Sequence, residues 1–143
     1  METKFNSQIC TTREQSERLL KLGLKSETAD MIHVDYGGRN YMIRPYDWLP
    51  TSHVDMEKYI PAWSLHRLLN LIPKELEVDI IPLYGRNYKQ WVCFNMNYDY
   101  NIIYFDSNQE EFKGFYESNV YDKAISCIEW LIGEGYFPKD CLV

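Results

Sequence analysis

The chain lacks most of the features that mark the common functional classes. Its four cysteines lie at least fourteen residues apart, which excludes CxxC redox pairs and the usual zinc-finger spacings. No apolar run approaches the roughly 18 residues of a membrane span, and the first residues lack the charged-then-apolar pattern of a signal peptide. The GxGxxG, Walker-type phosphate-loop, GxSxG and SxxK motifs are absent. We therefore expect a cytoplasmic protein with reduced thiols, no metal site and no cofactor.

Positive charge is also scarce. The 143 residues include 15 Lys and Arg against 21 Asp and Glu, a net charge of -6, which makes binding to nucleic-acid backbones or anionic membranes unfavourable. Residues 1–72 hold nine acidic and nine basic residues, whereas residues 73–143 hold twelve and six. All of the net charge therefore falls in the second half. Such a half could attract a basic partner or mimic a nucleic acid, although a solvated acidic face is the simpler interpretation.

Aromatic residues, in contrast, are abundant, with 12 Tyr, 6 Phe and 4 Trp. The apolar fraction of 45% and charged fraction of 25% are those of a globular protein, so we predict a single domain over 1–143, with 1–10 as a loose tail. Tyr and Trp are enriched at protein interfaces, but they also lie half-buried along sheets. The aromatics concentrate in two groups, Tyr46, Trp48, Tyr59 and Trp63 in the first, and Tyr88, Trp91, Tyr98, Tyr100 and Tyr104 in the second.

The sequence pattern predicts an α+β fold. We predict helices over 11–22, 61–73 and 119–133, the first with a capping box of Thr11 and Glu14. The predicted strands form a hairpin at 31–36 and 40–44 and a three-stranded meander at 77–84, 88–96 and 101–106. Because short turns join these strands, we expect a largely antiparallel sheet of about five strands with about three helices on one face.

Two strands of the meander have predictable positions in that sheet. Pro82 has no N–H to donate to a neighbouring strand, so 77–84 should be an edge strand. Both faces of 101–106 are apolar, which is typical of a central strand. Cys93 and Cys127 should lie in the core as small hydrophobic side chains.

The irregular segment 45–61 contains the residues that we select as a candidate binding site. His53 and Asp55 lie two residues apart, and a histidine beside a carboxylate is the minimum requirement for general-base chemistry. Arg39, Arg44 and Trp48 are the other loop residues with chemistry suited to binding. A solvated pair without a function is the alternative for His53 and Asp55, and we assign no residue as catalytic or as a metal ligand.

Three segments resemble a family of uncharacterised small proteins from prophages and mobile elements of gut Bacteroidetes. The resemblance is carried by 13–31, which includes Leu-Gly-Leu, by 60–73, which includes Pro-Ala-Trp-Ser-Leu, and by 122–132. That family has no established activity, cofactor or catalytic residues. The resemblance therefore implies a bacterial or phage context and transfers no residue role to this chain.

Together these observations favour a non-catalytic interaction protein of a phage or mobile element that binds through an aromatic-rich surface. Its expected partner is a protein, which includes a second copy of the chain, whereas a membrane or a nucleic acid is not expected. One alternative is an enzyme of unrecognised type with His53 and Asp55 in its site. The other is an acidic nucleic-acid mimic, which requires that six acidic residues line one face: Glu75, Glu77, Asp79, Glu110, Glu111 and Glu117.

Overall fold

A computed structural model of the chain describes residues 7–35, 41–46, 59–80 and 85–143. Within these ranges it has an α+β architecture with three α-helices, as the sequence predicts, but its strands form two antiparallel sheets of three and four strands instead of one sheet of about five. The elements in chain order are α1 (Arg13–Lys21), β1 (Met31–Asp35), β2 (Tyr41–Pro45), β3 (Tyr59–Ala62), α2 (Leu65–Leu71), β4 (Glu75–Ile80), β5 (Tyr88–Met96), β6 (Ile102–Phe105), β7 (Glu111–Phe115) and α3 (Val120–Glu134). The predicted turn at Gly37-Gly38 lies outside the described residues.

The chain divides into two compact units. Unit 1 comprises the chain up to Leu69 together with Asp140–Val143, and unit 2 comprises Asn70–Lys139. The sheet of unit 1 has the order β2-β1-β3, and that of unit 2 has the order β4-β5-β6-β7. The single domain over 1–143 stays a prediction.

Unit 1 is built around a fully buried tryptophan. The backbone of Trp63 exchanges two hydrogen bonds with Thr11, whose N–H donates to the Trp63 carbonyl over 2.8 Å and whose hydroxyl accepts the Trp63 N–H over 3.0 Å. Since Thr11 is held by this contact, the next residue, Thr12, caps α1 in a capping box with Gln15. The prediction of a box formed by Thr11 and Glu14 was therefore wrong by one residue.

The two additional strands come from segments without a clear hydrophobic period. β3 pairs with β1 as an edge strand, a position that tolerates its Pro61. β7 pairs with β6 inside the segment 107–117, where no strand was predicted. The helix predicted over 61–73 is shortened to α2, because residues 61 and 62 belong to β3.

In unit 2 the four-stranded sheet has one buried face and one largely exposed face, on which Ile103 of β6 is nevertheless buried. The buried face carries Leu76, Val78 and Val92, and α3 packs against β6 and β7. β4 is an edge strand and β6 a central strand, which confirms both predictions. Cys127 lies in the core as expected, but Cys93 is exposed because it shares the outer face with its register partner Glu75.

Candidate functional site

Most of the predicted site lies outside the part of the chain that the structure describes. This applies to Arg39, Trp48, His53 and Asp55. Arg44 is half-buried on β2, where its register partner on β1 is Ile32. A site built from these five residues therefore stays a prediction. Among the described ranges there is no group of three or more His, Cys, Asp or Glu residues that could hold a metal ion.

Unit 1 contains a cysteine–histidine pair that sequence spacing did not suggest. The Sγ atom of Cys10 lies 4.0 Å from Nε2 of His33, and the same nitrogen lies 2.7 Å from the carbonyl oxygen of Thr11. Nε2 must carry a hydrogen to bond to a carbonyl, so it cannot accept the proton of the thiol. Burial, and secondarily the charge of Asp30, raises the pKa of Cys10 to about 11. The thiol is therefore protonated at neutral pH, which is the state of a structural cysteine.

A second polar cluster joins Asp30 to the start of α2. The carboxylate of Asp30 accepts the Ser64 N–H over 2.8 Å and the Ser64 hydroxyl over 2.5 Å, and Oγ of Ser64 accepts the N–H of Arg67 over 3.1 Å. Ser64 thereby satisfies an N–H at the start of α2, as a capping residue does. The guanidinium of Arg67 donates to the carbonyl of Thr28 over 2.6 Å. These hydrogen bonds give the cluster a structural role, which is to fix the start of α2 to the residues before β1.

Cys127 in the core of unit 2 is a third group with reactive chemistry. Desolvation raises its pKa to about 12, although a hydrogen bond with Tyr104 acts in the opposite direction. The Tyr104 hydroxyl donates to the carbonyl of Pro73 over 2.6 Å, and its ring lies 5.9 Å from that of Trp130. Cys127 is therefore part of a packed aromatic core, and burial keeps its thiol neutral.

The two aromatic groups differ in exposure. In the first, Trp63 is fully buried and Tyr46 and Tyr59 are half-buried, whereas Trp48 lies outside the described ranges. In the second, only Tyr104 is buried, and the exposed fractions of the others are 53% for Tyr88, 57% for Trp91, 102% for Tyr98 and 63% for Tyr100. The meander therefore carries an exposed aromatic surface.

Three of the exposed tyrosines occupy one end of the four-stranded sheet, which we call the tyrosine end: Tyr98, Tyr100 and Tyr116. The first two lie in the turn between β5 and β6, and Tyr116, which is 54% exposed, directly follows β7. The end of β7 lies beside that turn, because Ile102 at the start of β6 pairs with Met96 on one side and with Phe115 on the other. Tyr116 was not predicted to belong to this group, because its place follows from the pairing of β7.

Gly114 determines where the ring of Tyr116 lies. A Cβ atom at Gly114 would fall 2.6 Å from Cε2 and 2.7 Å from the hydroxyl oxygen of Tyr116. The ring therefore occupies the space that any other residue at 114 would fill. Aromatic coverage of an edge-strand glycine is a known device for completing a sheet surface, and here the ring lies back over β7 at Gly114, the register partner of Ile103.

The turn that carries Tyr98 and Tyr100 is closed by side-chain and backbone hydrogen bonds. Oδ1 of Asn97 accepts the N–H groups of Asp99 and Asn101, each over 3.0 Å, and the Asn97 carbonyl accepts the Tyr100 N–H over 3.0 Å. Tyr100 has a φ of 59°, which is uncommon for any residue except glycine and asparagine. The turn therefore places a bulky residue at a position that favours a small one.

The turn between β6 and β7 repeats this arrangement with polar side chains. Oδ1 of Asp106 accepts the N–H groups of Asn108 over 2.9 Å and Glu110 over 3.0 Å, and the Asp106 carbonyl accepts the Gln109 N–H over 3.0 Å. Gln109 has a φ of 63°, and in the described part of the chain only Tyr100 shares a positive φ outside glycine. In this comparison Ser107 and Gln109 occupy the places of Tyr98 and Tyr100.

A buried lysine supports the first turn from α3. Lys123 is only 4% exposed, and its Nζ atom donates to the carbonyl oxygen of Asp99 over 2.9 Å. The ammonium group therefore faces the backbone between the two tyrosines. Beside the turn, a shallow depression of about 400 Å³ is lined by Asn95, Met96, Asn97 and Tyr98. It offers apolar and amide groups to a ligand.

The six acidic residues of the predicted mimic divide between the two edges of the sheet. Glu75, Glu77 and Asp79 lie on β4, at one edge. Glu110, Glu111 and Glu117 lie on or beside β7, the opposite edge. This arrangement gives the mimic hypothesis no continuous acidic row, and we do not pursue it.

Comparison of the chain with protein-family models, with curated proteins and with solved structures finds no match. The resemblance to prophage-encoded proteins therefore stays a prediction. Within the described residues, none of the helices has the length and apolar character that crossing a membrane requires.

Proposed function

We propose that the protein is a non-catalytic binding protein and that its tyrosine end docks a protein partner. The comparison of the two turns carries this proposal. Both turns have the same hydrogen bonds and the same left-handed position, yet only the first presents aromatic rings to water. Since the second turn folds with Ser107 and Gln109 at the equivalent positions, the turn itself does not require Tyr98 and Tyr100.

Exposed rings in this turn are unfavourable without a partner. The left-handed strain is common to Tyr100 and Gln109 and does not distinguish the two turns, but exposed aromatic surface promotes non-specific association. This effect is offset when the rings are buried in an interface, where tyrosines contribute large contact areas at a low entropic cost. Binding is therefore the simplest function that accounts for them.

The buried thiols are not activated for catalysis. Cys10 and Cys127 are buried and each has a raised pKa, whereas the other two free cysteines are exposed (Cys93) and half-buried (Cys141). The enzyme alternative depends on His53 and Asp55, which lie outside the described residues. The phage or mobile-element setting is a proposal that depends on the sequence resemblance.

The test uses a double variant that copies the second turn onto the first. The variant Tyr98→Ser/Tyr100→Gln removes both rings, and it places glutamine at the left-handed position, as the second turn does with Gln109. Peptides selected from a random display library against the full chain should bind this variant about tenfold more weakly or worse, as expected when aromatic anchors are lost.

The matched control carries the tyrosines at the other turn. The variant Ser107→Tyr/Gln109→Tyr adds two exposed rings away from the tyrosine end, and it should bind the selected peptides no more tightly than the wild type. The proposal is wrong if the selected peptides bind the double variant Tyr98→Ser/Tyr100→Gln as tightly as the wild type. It is also wrong if the control gains affinity, because exposed tyrosines would then bind wherever they are placed.

A further inference from the structure

We infer that the partner presents an arginine-bearing segment to the tyrosine end. This inference rests on the proposed function and adds the chemistry of the partner to it. Exposed tyrosine rings suit two classes of ligand, because they stack on the bases of single-stranded nucleic acids and on the planar guanidinium of arginine. Charge distinguishes the two classes, since a nucleic acid needs a positively charged groove beside the rings.

The charged residues directly adjacent to the three rings in sequence are acidic. Asp99 lies between Tyr98 and Tyr100, Glu117 follows Tyr116, and both acidic side chains are exposed. Further along the same end of the sheet, the exposed Lys74 and the half-buried Lys113 place their ammonium groups 4.3 Å and 5.5 Å from the ring centres of Phe94 and Phe115. The nearest basic residue of α3 is Lys123, but its ammonium is directed to the Asp99 carbonyl and is almost completely buried. Phosphate groups would therefore meet exposed carboxylates, whereas a guanidinium would find rings and carboxylates together.

The wider charge of unit 2 acts in the same direction. Residues 70–139 hold eleven acidic and six basic residues, a net charge of -5. A surplus of this kind attracts cationic ligands over a distance comparable to the Debye length, about 8–10 Å at physiological salt. It therefore favours the approach of a basic segment and opposes that of a nucleic acid.

The shape of the site suits arginine better than lysine. The depression beside the turn offers the half-buried Met96 and the exposed Tyr98 to an aliphatic stem, and the exposed amide of Asn95 to a guanidinium N–H. A guanidinium is planar, stacks on aromatic faces and has five donors, whereas an ammonium is a compact and strongly hydrated charge. Arginine should therefore bind more tightly than lysine at equal net charge.

The experiment compares four fluorescein-labelled probes by fluorescence anisotropy with the full chain. Three are peptides of about nine residues in which Gly alternates with Arg, Lys or Glu, and the fourth is an oligothymidine of similar length. We expect the Arg peptide to bind about fivefold more tightly than the Lys peptide, from ring contacts of about 0.5–1 kcal/mol each. The Glu peptide and the oligothymidine should show no measurable binding.

Variants of the protein then show where on its surface the Arg peptide binds. Tyr98→Ser/Tyr100→Gln should weaken the Arg peptide about fivefold or more, and Asp99→Asn or Glu117→Gln should each weaken it about threefold. The matched control is Glu111→Gln, which removes an exposed carboxylate at the β7 residue that pairs with Phe105, away from the tyrosine end. This control should change the affinity by less than about twofold.

Several results would overturn the inference. No measurable binding of the Arg peptide would do so, as would tighter binding of the oligothymidine or the Glu peptide. The inference is also wrong if the Arg and Lys peptides bind equally tightly and if Tyr98→Ser/Tyr100→Gln does not weaken either of them, because binding would then depend on charge alone. If library peptides without basic residues bind at the tyrosine end, the inference fails and the proposed function stands. If library peptides bind without regard to the tyrosines, the proposed function itself fails.

Discussion

Replacement of Gln109 by glycine should stabilise the protein. The left-handed backbone at this position has a φ of 63° and costs a residue with a Cβ about 1–2 kcal/mol. Glycine removes that cost but loses about 0.5–1 kcal/mol more conformational entropy on folding. The Gln109 side chain is exposed, so little buried area is lost with it. The expected gain in the free energy of unfolding is therefore about 0.5–1 kcal/mol.

Urea unfolding followed by circular dichroism measures this gain, with Gln109→Ala as the matched control. Alanine keeps the Cβ and therefore the strain, so Gln109→Ala should be no more stable than the wild type. If Gln109→Gly is not more stable than Gln109→Ala, the assignment of strain at this position is refuted. At Tyr100 the same exchange should give almost no gain, because the buried third of the ring contributes ~1–2 kcal/mol that is lost with it.

Three further predictions concern the core and the thiols. Thr28→Val should lower the free energy of unfolding, measured by urea unfolding, by about 1–3 kcal/mol. The buried indole N–H of Trp63 donates to the Thr28 hydroxyl over 2.9 Å and would lose its acceptor in this variant. Thr28→Ser, which keeps the hydroxyl, should lower the stability less. Leu131→Ala should cost about 2–5 kcal/mol in the same assay through lost burial and a cavity, and a cost below about 1 kcal/mol would contradict its place in the core. The pKa values of Cys10 and Cys127 are raised to about 11 and about 12, so the folded state keeps their protons at pH 9.0, where an unfolded thiol is half deprotonated. Stability should therefore fall as the pH rises from about 9 to about 11, and a double alanine variant that shows an equally steep fall would refute this cause.

The sequence predicted those elements whose signals are local. The helix predicted over 119–133 is observed as α3 over Val120–Glu134, which Asn119 caps and which ends at Gly135 in a left-handed conformation. The capping box of α1 was misplaced because Thr11 is recruited by Trp63, which lies 52 residues away in the sequence. The residues around a helix start cannot predict a hydrogen bond to a residue that far away in the sequence.

The strand β7, which was not predicted, explains why Tyr116 was not assigned to the candidate site. β3 and β7 are stabilised by their pairing with β1 and β6, while their own residues show little alternation. The pairing of β7 brings Tyr116 to the tyrosine end, so this residue could not be assigned from sequence alone. Tyr98 and Tyr100 were identified as part of an aromatic group, but their equivalence to Ser107 and Gln109 depends on hydrogen bonds that only the structure shows.

Unit 1 is discontinuous along the chain, and this has a consequence for how it forms during synthesis. Leu24 forms a bridge with Leu142, the Lys25 N–H donates to the Cys141 carbonyl over 2.8 Å, and the Val143 N–H donates to the Gly23 carbonyl over 2.7 Å. These partners leave the ribosome only after residues 70–139 have been made. Unit 2 is continuous along the chain, so all of its residues have been synthesised before Asp140–Val143. Until those last residues are made, unit 1 lacks the segment that pairs with the fully buried Leu24 and cannot complete its fold. The order in which the units are completed is therefore the reverse of the order in which they begin.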